Sequence, residues 1–600
     1  MSSRILPPRL HHAGRLAAWV LAALSVVACF IIVWVGVRGA LAYDHLTRVE
    51  ASVSDVSAAF AADPSLAGPA LENIATEARG AHELTSDGIW SLAERTPWLG
   101  PQLSAFRTIA ASSDQLLTGA LLPLAAVAQD ISLDDLRPSG GRFDTAPFVE
   151  LEPTAQRAAD ASGRAASAIQ GLDRTPLIGS VGSAVDRADA LFTRSSAAID
   201  ALARATKLFP AMLGDDGPRS YLVLVQNNAE WRSLGGITGT AILMRTDGGV
   251  ISLIDTRSAT ELSRGIRAPA AQLPDDVREI YGSRPARFFH NLTEIPDFSV
   301  DGPLAKEMYR EQTGVDVDGV VAIDPVTLSY LLQATGPVAL PDGESLTSAS
   351  AVSVLLNDVY QRYPEPAAQD AFFAGATGAV FSALLDGRGS ATGLVTALAR
   401  ATEERRILLW SADPMQRALI DGTTLAGAIP TTDSDTARFG VYLNDGTGSK
   451  MSFYVRPIVT LTWGPCSAQD RQLTVTMTLT NTAPTDAATS LPKYVTGNGA
   501  FGTAPGAATV VSNIFLPEGW RLASATTTSG TGPTEGSFDG RDVLTFGSTL
   551  GPQATDTVVI TVESDSGASE AEALITPTAD ASLPTAVQAR CISSPSATLG

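Results

Sequence analysis

Residues 218–256 read PRSYLVLVQNNAEWRSLGGITGTAILMRTDGGVISLIDT, and this stretch decides the fold of the central part of the chain. The run 220–225 is apolar and has the length of a strand. Two further apolar runs, 240–245 and 250–254, flank Asp247-Gly248-Gly249, where glycine supplies the positive φ values that a tight turn needs. We therefore predict that a strand and a β-hairpin open this domain.

Strands and helices alternate beyond the hairpin. Residues 320–323 form another buried strand, and Asp324-Pro325 behind it combines a capping residue with a proline suited to the first helical turn. That helix should end at Gly336, and a further helix should run over 348–362. The order of these elements predicts a central α/β domain over residues 218–437.

The C-terminal part has the pattern of an all-β fold. Residues 473–480 read LTVTMTLT, an alternation typical of a strand with one wet face. Similar runs separated by turn residues predict a β-sandwich over 438–592, followed by a disordered tail over 593–600. Cys466 and Cys591 fall in this part, so an oxidising compartment would favour a disulfide between them, with two buried free thiols as the alternative.

The N-terminal part carries the pattern of a membrane-spanning helix. Residues 16–37 form a run of 22 residues without a charge, enough to cross a hydrocarbon core of about 30 Å. Arginines precede this run, so the positive-inside rule places residues 1–15 in the cytoplasm and the bulk of the chain outside the cell membrane. A signal peptide cleaved after Ala42 is the alternative, but its apolar region is normally only about 7–15 residues long. We predict a single-pass transmembrane helix over 16–37.

Residues 44–213 are rich in alanine, leucine and serine, with apolar positions at helical spacing. The motif Arg-Thr-Pro-Trp-Leu-Gly at 95–100 recurs as Arg-Thr-Pro-Leu-Ile-Gly at 174–179, each time before a long helical pattern. Because Thr-Pro favours the start of a helix, we predict helical hairpins that form a stalk or bundle. Pro-Ser-Gly-Gly at 138–141 is predicted to be a flexible break.

The composition excludes several classes of function. The chain of 600 residues has 42 basic and 63 acidic residues and a net charge of −21, which argues against a nucleic-acid partner. Five histidines and three cysteines are too few for a histidine-rich zinc site, so no metal ligands are predicted. The sequence also has no phosphate-binding loop, no nucleophile elbow and no dinucleotide fingerprint.

Three groups of polar residues are candidates for ligand binding. Asn227, Asn228 and Arg232 come directly after the strand 220–225, where an arginine fork and amide groups could hold an anionic or polyhydroxylated ligand. A loop in which asparagine side chains mimic turn hydrogen bonds is the alternative. The other two groups follow the hairpin: Asp255, Arg257 and Arg264, then Asn291 and Asp297. Crevices at strand ends are where α/β sheets usually hold ligands, but no catalytic residue is assigned.

The stretches 221–236, 317–325 and 408–414 resemble the actinobacterial membrane-protein family catalogued as domain of unknown function 4012. The resemblance covers residues 218–450. It implies a membrane protein and no particular activity.

A looser similarity connects the central domain with the LytR-CpsA-Psr cell-envelope phosphotransferases. It rests on the order of the hairpin, an asparagine-containing loop and Gly-Val-Asp-Val-Asp-Gly-Val-Val-Ala-Ile-Asp at 314–324. The resemblance implies an exported, single-pass enzyme that transfers a polyprenyl-diphosphate-linked glycopolymer to peptidoglycan, using arginines and acids around the diphosphate. Arg232, Arg257 and Asn291 then match, or lie near, positions of that family's site.

Two departures from that family concern its acids. Gly235-Gly236 stands where an acidic residue is expected, and residues 255–258 read Asp-Thr-Arg-Ser in place of Pro-Arg-Asp. No cofactor is expected, and Mg²⁺ is implied only for an active transferase.

Three functions follow from the sequence as hypotheses. The first is an envelope protein that binds a cell-wall glycopolymer or its lipid-linked precursor. The second is an active transferase of the LytR-CpsA-Psr type, and the third is a scaffold that binds other envelope proteins.

Overall fold

The computed structural model describes residues 8–62, 67–129, 137–340, 342–464, 471–565 and 567–591. The chain forms two compact units. We call residues 1–135 with 145–211 the helical unit, and residues 136–144 with 212–600 the mixed unit.

The described part of the helical unit consists of helices, as the spacing of apolar residues predicts. They are α1 (Pro8–Ala62), α2 (Ala67–Thr85), α3 (Gly88–Ala93), α4 (Leu99–Leu116), α5 (Leu122–Ala128), α6 (Ala146–Gln170) and α7 (Gly179–Met212). A π-helical turn, Leu117–Leu121, joins α4 to α5. Small side chains let these helices approach closely: Ala158 and Ala165 on α6 have no exposed surface, and they pack with Leu116, Ile169 and Phe192.

Helix α1 continues without a break from the predicted membrane span into the bundle. Large apolar side chains along the span are exposed, with Trp19 at 75%, Val26 at 69% and Ile32 at 67%. In the described part of the chain, two helical sections are long and apolar enough to cross a membrane, Ala18–Ser52 and Pro366–Leu385. The N-terminal apolar helix therefore fits a membrane anchor.

The mixed unit begins with a region in which strands and helices alternate. Its elements are β1 (Arg219–Arg232), β2 (Gly235–Asp247), β3 (Val250–Ser258), α8 (Ala259–Leu262), α9 (Asp275–Tyr281), α10 (Phe298–Thr313), β4 (Gly319–Ile323), α11 (Pro325–Thr335), β5 (Val338–Ala339), β6 (Ser345–Leu346), α12 (Ala351–Ser353), α13 (Val359–Arg362), α14 (Pro366–Leu385), α15 (Ala391–Glu403), β7 (Leu408–Ser411) and α16 (Pro414–Ile420).

Five strands form the first sheet in the order β3-β2-β1-β4-β7. The pairs β1–β2, β2–β3 and β4–β7 are antiparallel, and β1 runs parallel to β4, with Leu222 opposite Val320. Asp324 caps α11 as predicted, because its side chain accepts a hydrogen bond from the backbone N–H of Thr327. Helix α10 packs on the sheet through Leu304 and Met308, so the sheet has a buried face.

Helix α14, the second apolar helix, contributes side chains to the interior of the mixed unit. Phe372, Ala376, Val380 and Ala383 are at most 5% exposed and belong to the same core as strand residues of the C-terminal part. A buried helix in a core passes the same length and hydropathy test as a membrane helix.

Two strand boundaries differ from the sequence-based expectation. β1 continues from Val225 to Arg232, so the stretch predicted to be a loop behind the strand is itself strand, with register shifts on either side of Asn227. β3 likewise includes Asp255 and Arg257. Polar residues end a strand in a sequence pattern. In β1 partners distant in sequence satisfy them, whereas in β3 Asp255 and Arg257 pair with each other, and both strands continue.

The segment 138–141 also differs from the prediction of a flexible break. Ser139 and Arg142 form a β-bridge, and the N–H of Phe143 donates to the oxygen of Gly249 at 2.9 Å. Gly140 and Gly141 have φ values of +60° and +79°, which the tight turn requires. The segment is therefore a turn packed on the β2–β3 hairpin.

The C-terminal part contains β8 (Thr436–Asp445), β9 (Val455–Trp463), β10 (Arg471–Asn481), α17 (Ala487–Ser490), α18 (Lys493–Thr496), β11 (Ala508–Phe515), β12 (Arg521–Thr527), β13 (Thr534–Phe538), β14 (Arg541–Leu550), β15 (Thr555–Ser564), β16 (Glu570–Ile575) and β17 (Ala586–Arg590). These strands form one sheet in the order β12-β15-β10-β9 and another in the order β13-β14-β11-β8-β16-β17. The predicted alternation in 473–480 is confirmed, since Leu473, Val475, Met477 and Leu479 are buried in β10.

Some predictions fall outside the described residues. These are the tail 593–600, the first residues of the cytoplasmic segment and Cys466. The Cys466–Cys591 disulfide therefore stays a prediction.

Candidate functional site

The end of β1 carries a buried cluster of charged side chains, which we call the charge cluster: Glu230, Arg232, Lys450 and Asp445. The Nζ of Lys450 lies 2.5 Å from Oε2 of Glu230, and Nη2 of Arg232 lies 3.4 Å from Oε1 of the same carboxylate. Glu230, Arg232 and Lys450 are each less than 10% exposed. The cluster brings both cations onto one carboxylate, which offsets part of the cost of burying the three charges.

The charges in this cluster shift the pKa values of its acids in opposite directions. Burial alone would raise the pKa of Glu230, but Lys450 and Arg232 lower it below its ordinary value. Burial and the neighbouring charge of Glu230 raise the pKa of Asp445 to about 6. Glu230 is therefore ionised at neutral pH, whereas Asp445 changes its protonation state near pH 6.

Backbone geometry fixes the position of Asp445. It lies at the end of β8, and its Oδ2 accepts hydrogen bonds from the backbone N–H groups of Thr447, Gly448 and Ser449. The neighbouring Asn444 accepts a hydrogen bond at 2.9 Å from the N–H of Ser233, which begins the β1–β2 turn. The turn between β8 and β9 is thereby joined to the turn between β1 and β2.

Arg232 connects the charge cluster to the loop after the hairpin. Its Nη2 donates to Oδ1 of Asn291 at 3.0 Å. The structure thus brings together two residues that the sequence singled out separately. Burial lowers the pKa of the adjacent His290, although Glu230 opposes this shift, so that imidazole is neutral at pH 7.

The other predicted site residues lie elsewhere. Asn228 is fully buried, and its Nδ2 donates to Asp324 and to the backbone oxygen of Pro577. Asn227 donates to the hydroxyl of Tyr360. Both amides therefore support the packing of β1.

Asp255, Arg257, Arg264 and Asp297 do not join Arg232 through any hydrogen bond or ion pair that the described residues show. Asp255 and Arg257 pair with each other at 2.7 Å on the surface. Asp297 caps α10 by accepting from the N–H of Ser299, and Arg264 is exposed. Of the three predicted groups of polar residues, only the first and Asn291 meet at the buried end of β1, and these four residues lie apart from it.

A surface rich in arginine lies beside the charge cluster, in the segment between β3 and α10. We call Arg264, Arg267, Arg284, Arg287 and His290 the arginine surface. Two hydrogen bonds connect its parts: the N–H of Phe289 donates to the side-chain Oγ of Ser263, and the N–H of Ala270 donates to the backbone oxygen of Ala286, both at 2.9 Å. His290 borders Asn291, so the surface begins where the charge cluster ends.

The charges of the arginine surface are only partly balanced. Arg284 pairs with Glu294 at 2.7 Å, and Glu261 is engaged with Ser258 in a capping box. Arg264 and Arg267 are exposed and form no ion pair within the described residues. Residues 259–297 carry five arginines and six acidic residues, so it is the two unpaired guanidinium groups, and not the net charge of the segment, that suit an anionic ligand.

Two cavities lie near the elements discussed above, one in each unit. The mixed unit has a cavity of about 160 Å³ beside Gln226, Asn227 and Asp324. The helical unit has an apolar cavity of about 630 Å³ lined by side chains such as Leu117, Leu121 and Phe192. The first is too small for more than a few atoms of a ligand.

The residues of the charge cluster do not fit a magnesium ion. Mg²⁺ is bound through carboxylates that keep free oxygens for the metal. Here both oxygens of Glu230 are paired with cations and Oδ2 of Asp445 accepts from backbone N–H groups, so the buried Oδ1 of Asp445 is the one oxygen of these two carboxylates without a hydrogen bond. The described residues also contain no group of three or more His, Cys, Asp or Glu that could hold a metal.

Lys450, Asp445 and Arg406 belong to these networks but were missed from the sequence. Arg406 is fully buried and pairs with Asp324 at 2.7 Å. These residues lie far along the chain from their partners, so no local pattern connects them. Lys450 did carry one signal, because the sequence has only four lysines.

Residues 216–360 match the family model described as Protein of unknown function (DUF4012). This central part of the chain, 145 of the 600 residues, is similar to that family. The DUF4012 segment begins just before β1 and ends within α13, so it contains Glu230 and Arg232 but not their partner Lys450. No curated protein and no solved structure was found to match the chain.

Proposed function

We propose that this protein is anchored in the cell membrane by α1, and that its mixed unit binds an anionic glycopolymer of the cell envelope or the lipid-linked precursor of one. The arginine surface is the observation that carries the proposal. Arg264 and Arg267 are exposed cations without an acidic partner among the described residues, on a strongly acidic chain. Guanidinium groups bind phosphate and carboxylate with paired hydrogen bonds, so such a surface selects anionic polymers.

The proposed topology follows from α1. Its section Ala18–Ser52 is apolar and exposes its large side chains, which only a bilayer or another apolar partner would cover. With basic residues before the span, residues 1–15 lie in the cytoplasm and the remainder is extracytoplasmic, as a single-pass protein. A protein with this topology has access to envelope polymers and their polyprenyl-linked precursors at the extracytoplasmic face of the cell membrane.

The buried charge cluster contacts the loop that carries the arginine surface. Arg232 is too buried to contact a polymer, but it donates to Asn291, the residue that follows His290. It therefore positions the loop that presents the arginines. The contacts of Arg232 with Glu230 and Asn291 restrict this loop, although the buried Nε of Arg232 has no hydrogen-bond partner among the described residues.

The test compares arginines of the same segment. The full-length protein in detergent is titrated with a purified phosphate-bearing cell-wall glycopolymer, with a neutral polysaccharide as the control ligand. Replacing Arg264 and Arg267 together by glutamine should weaken binding about tenfold or more, because each charged hydrogen bond contributes roughly 1 kcal/mol or more. Arg278→Gln is the matched control, since Arg278 is exposed but already paired with Asp275 at 2.6 Å.

Two results would reject the binding proposal. Equal affinities for wild type and both variants would show that the arginine surface is not the site. Absence of any anionic-polymer binding would favour a scaffold that contacts other envelope proteins.

A second candidate is a glycopolymer transferase of the LytR-CpsA-Psr type. In it the first, five-stranded sheet and the two C-terminal sheets, arranged as a sandwich, would surround the site. The contact between Arg232 and Asn291 supports it, because the looser resemblance of the sequence would place both residues in that family's site. The pairing of Glu230 with Lys450 and Arg232 opposes it, because a transferase needs free carboxylates for Mg²⁺. Transfer of a labelled polyprenyl-diphosphate glycan by the purified protein with Mg²⁺ would establish this activity.

A further inference from the structure

The repeated motif at 95–100 and 174–179 lies at one end of the helical unit, beside the predicted membrane span of α1. Trp34 donates to Oδ2 of Asp87 at 3.0 Å, and Arg38 pairs with the same carboxylate at 2.9 Å. Trp90 on α3 is buried against Val35 and Leu103. The start of α4 is therefore level with the last turns of the apolar run.

Helix α4 runs in the same direction as α1, with α2 and α3 packed against both. Val35 shares an apolar cluster with Leu103, and Ala42 shares another with Ala110, so seven residues of each helix separate the two clusters. Extrapolating four or five residues back from Leu103 places Trp98 and Leu99 level with residues 30–31 of α1. At 1.5 Å per residue this lies about 10 Å inside the apolar run, measured from Val37.

The second copy of the motif occupies the same end of the unit. Gln102 on α4 donates to the oxygen of Pro176 at 2.7 Å and accepts from the N–H of Ile178 at 3.1 Å. Both turns thus lie beside the first turns of α4. The repeat that the sequence shows is a pair of turns at the membrane-proximal end.

These turns and the neighbouring helix α3 expose apolar side chains that a surface facing water would not favour. The exposed fraction is 70% for Trp98, 51% for Leu92, 43% for Ile178 and 37% for Leu99. We call these four residues the corner surface. Trp98 has a φ of +66°, an unusual backbone conformation for a residue other than glycine, and its ring is exposed at the surface. Tryptophan is the residue most typical of the interface between lipid and water.

We propose that the corner surface inserts into the outer interface of the lipid bilayer, so that the repeated motif is a second membrane contact beside α1. The depth of about 10 Å inside the apolar run agrees with the 5–10 Å to which interfacial segments bury their apolar faces. Arg95 is exposed next to Trp98 and suits a lipid phosphate. The contact fixes the tilt of the helical unit on the membrane. This inference rests on α1 being the membrane span.

The test uses tryptophan fluorescence of the full-length protein reconstituted in phosphatidylcholine vesicles, with and without lipids brominated near the headgroup end of the acyl chain. The emission of Trp98 is the difference between wild type and Trp98→Tyr. We expect brominated lipids to reduce that emission about twofold or more, as for an interfacial side chain. Unchanged emission would overturn the proposal.

The emission of Trp19, obtained from Trp19→Tyr in the same vesicles, tests the span independently. Quenching of Trp19 without quenching of Trp98 rejects the corner surface and leaves the anchor in place. Failure to quench Trp19 rejects the anchor and the inference together.

A second pair of variants tests the second copy of the motif. In the Trp98→Tyr background, Ile178→Trp should introduce emission that brominated lipids quench. Val149→Trp is the matched control, because Val149 is 48% exposed near the opposite end of α6. Equal quenching, or none, at positions 178 and 149 would contradict the assignment of the repeat to the membrane surface.

Discussion

At the scale of single residues, the pairing of Lys450 with Glu230 is the contact on which the end of β1 depends most. Both side chains are less than 10% exposed. Burial alone would lower the pKa of Lys450, but Glu230, Tyr360 and Tyr494 together raise it above its ordinary value. Removing one partner leaves an uncompensated buried charge. We expect Lys450→Met to lower the free energy of unfolding by about 3–5 kcal/mol.

The control for this change is Lys493→Met. Lys493 is exposed, so its replacement should change stability by no more than about 0.5 kcal/mol. Denaturant unfolding of the full-length protein measures both. Equal free energies of unfolding for the two variants would show that the Lys450–Glu230 pair does not stabilise the fold.

Asp445 gives the stability of the protein a specific dependence on pH. Its pKa is raised from 3.8 to about 6, so between these values the folded state binds more protons than the unfolded state. Stability from this group is present at low pH and is lost as pH rises through about 6. The difference in stability between wild type and Asp445→Asn should therefore change between pH 4 and pH 6.5 and stay flat from pH 7 to pH 8. A flat difference over the whole range would contradict the raised pKa.

At the scale of elements, strands β1 and β2 approach so closely that one position admits only glycine. A Cβ on Gly236 would lie 2.3 Å from the backbone carbon of Asn227. We expect Gly236→Ala to destabilise the protein by about 1–3 kcal/mol, as in other overpacked sites. Gly239→Ala on the same strand is the control, because the nearest atom to its Cβ would be 3.9 Å away. Equal thermal midpoints for the two variants would be inconsistent with this packing.

The sequence predicts the elements better than it predicts their ends. The hairpin around Gly248-Gly249 and the helix capped by Asp324 follow from local chemistry, and both are confirmed. The extension of β1 could not be predicted, because Glu230 is stabilised by Lys450, 220 residues away. The residues of the candidate site likewise fall into those that the sequence indicates and those that depend on the fold. Exposed Arg264 was recognisable, whereas the burial of Arg232 depends on distant strands.

The predicted Cys466–Cys591 disulfide would join the segment after β9 to the end of β17. Trp463 donates to the oxygen of Ala589 at 3.2 Å, so the residues just before both cysteines are neighbours. A bond closing a loop of 125 residues would stabilise the fold by about 4–5 kcal/mol in the chain-entropy treatment. Peptide mapping without reductant should recover the two cysteines as one cross-linked fragment. Recovery of both as free thiols from the exported protein would refute the bond.

At the scale of the whole molecule, the proposed topology has one membrane crossing, by α1, and leaves the chain after it outside the cell membrane. Two apolar helices bear on this claim, Ala18–Ser52 within α1 and α14. The first exposes its large side chains, whereas α14 contributes Phe372, Ala376 and Val380 to a core shared with the C-terminal strands. A membrane crossing by α14 would place those strands on the opposite side of the bilayer from β1. The shared core therefore favours one crossing.

Protease digestion of intact cells tests this topology most directly. Antibodies against the segment before α14 and against the strands after it follow the two halves of the mixed unit. If α1 is the one membrane crossing, we expect external protease to remove the segments that both antibodies recognise and to leave only a short membrane fragment from α1. Protection of the segment after α14 alone would show that this helix crosses the membrane. Protection of both would show that the mixed unit lies inside the cell, and either result would contradict the account.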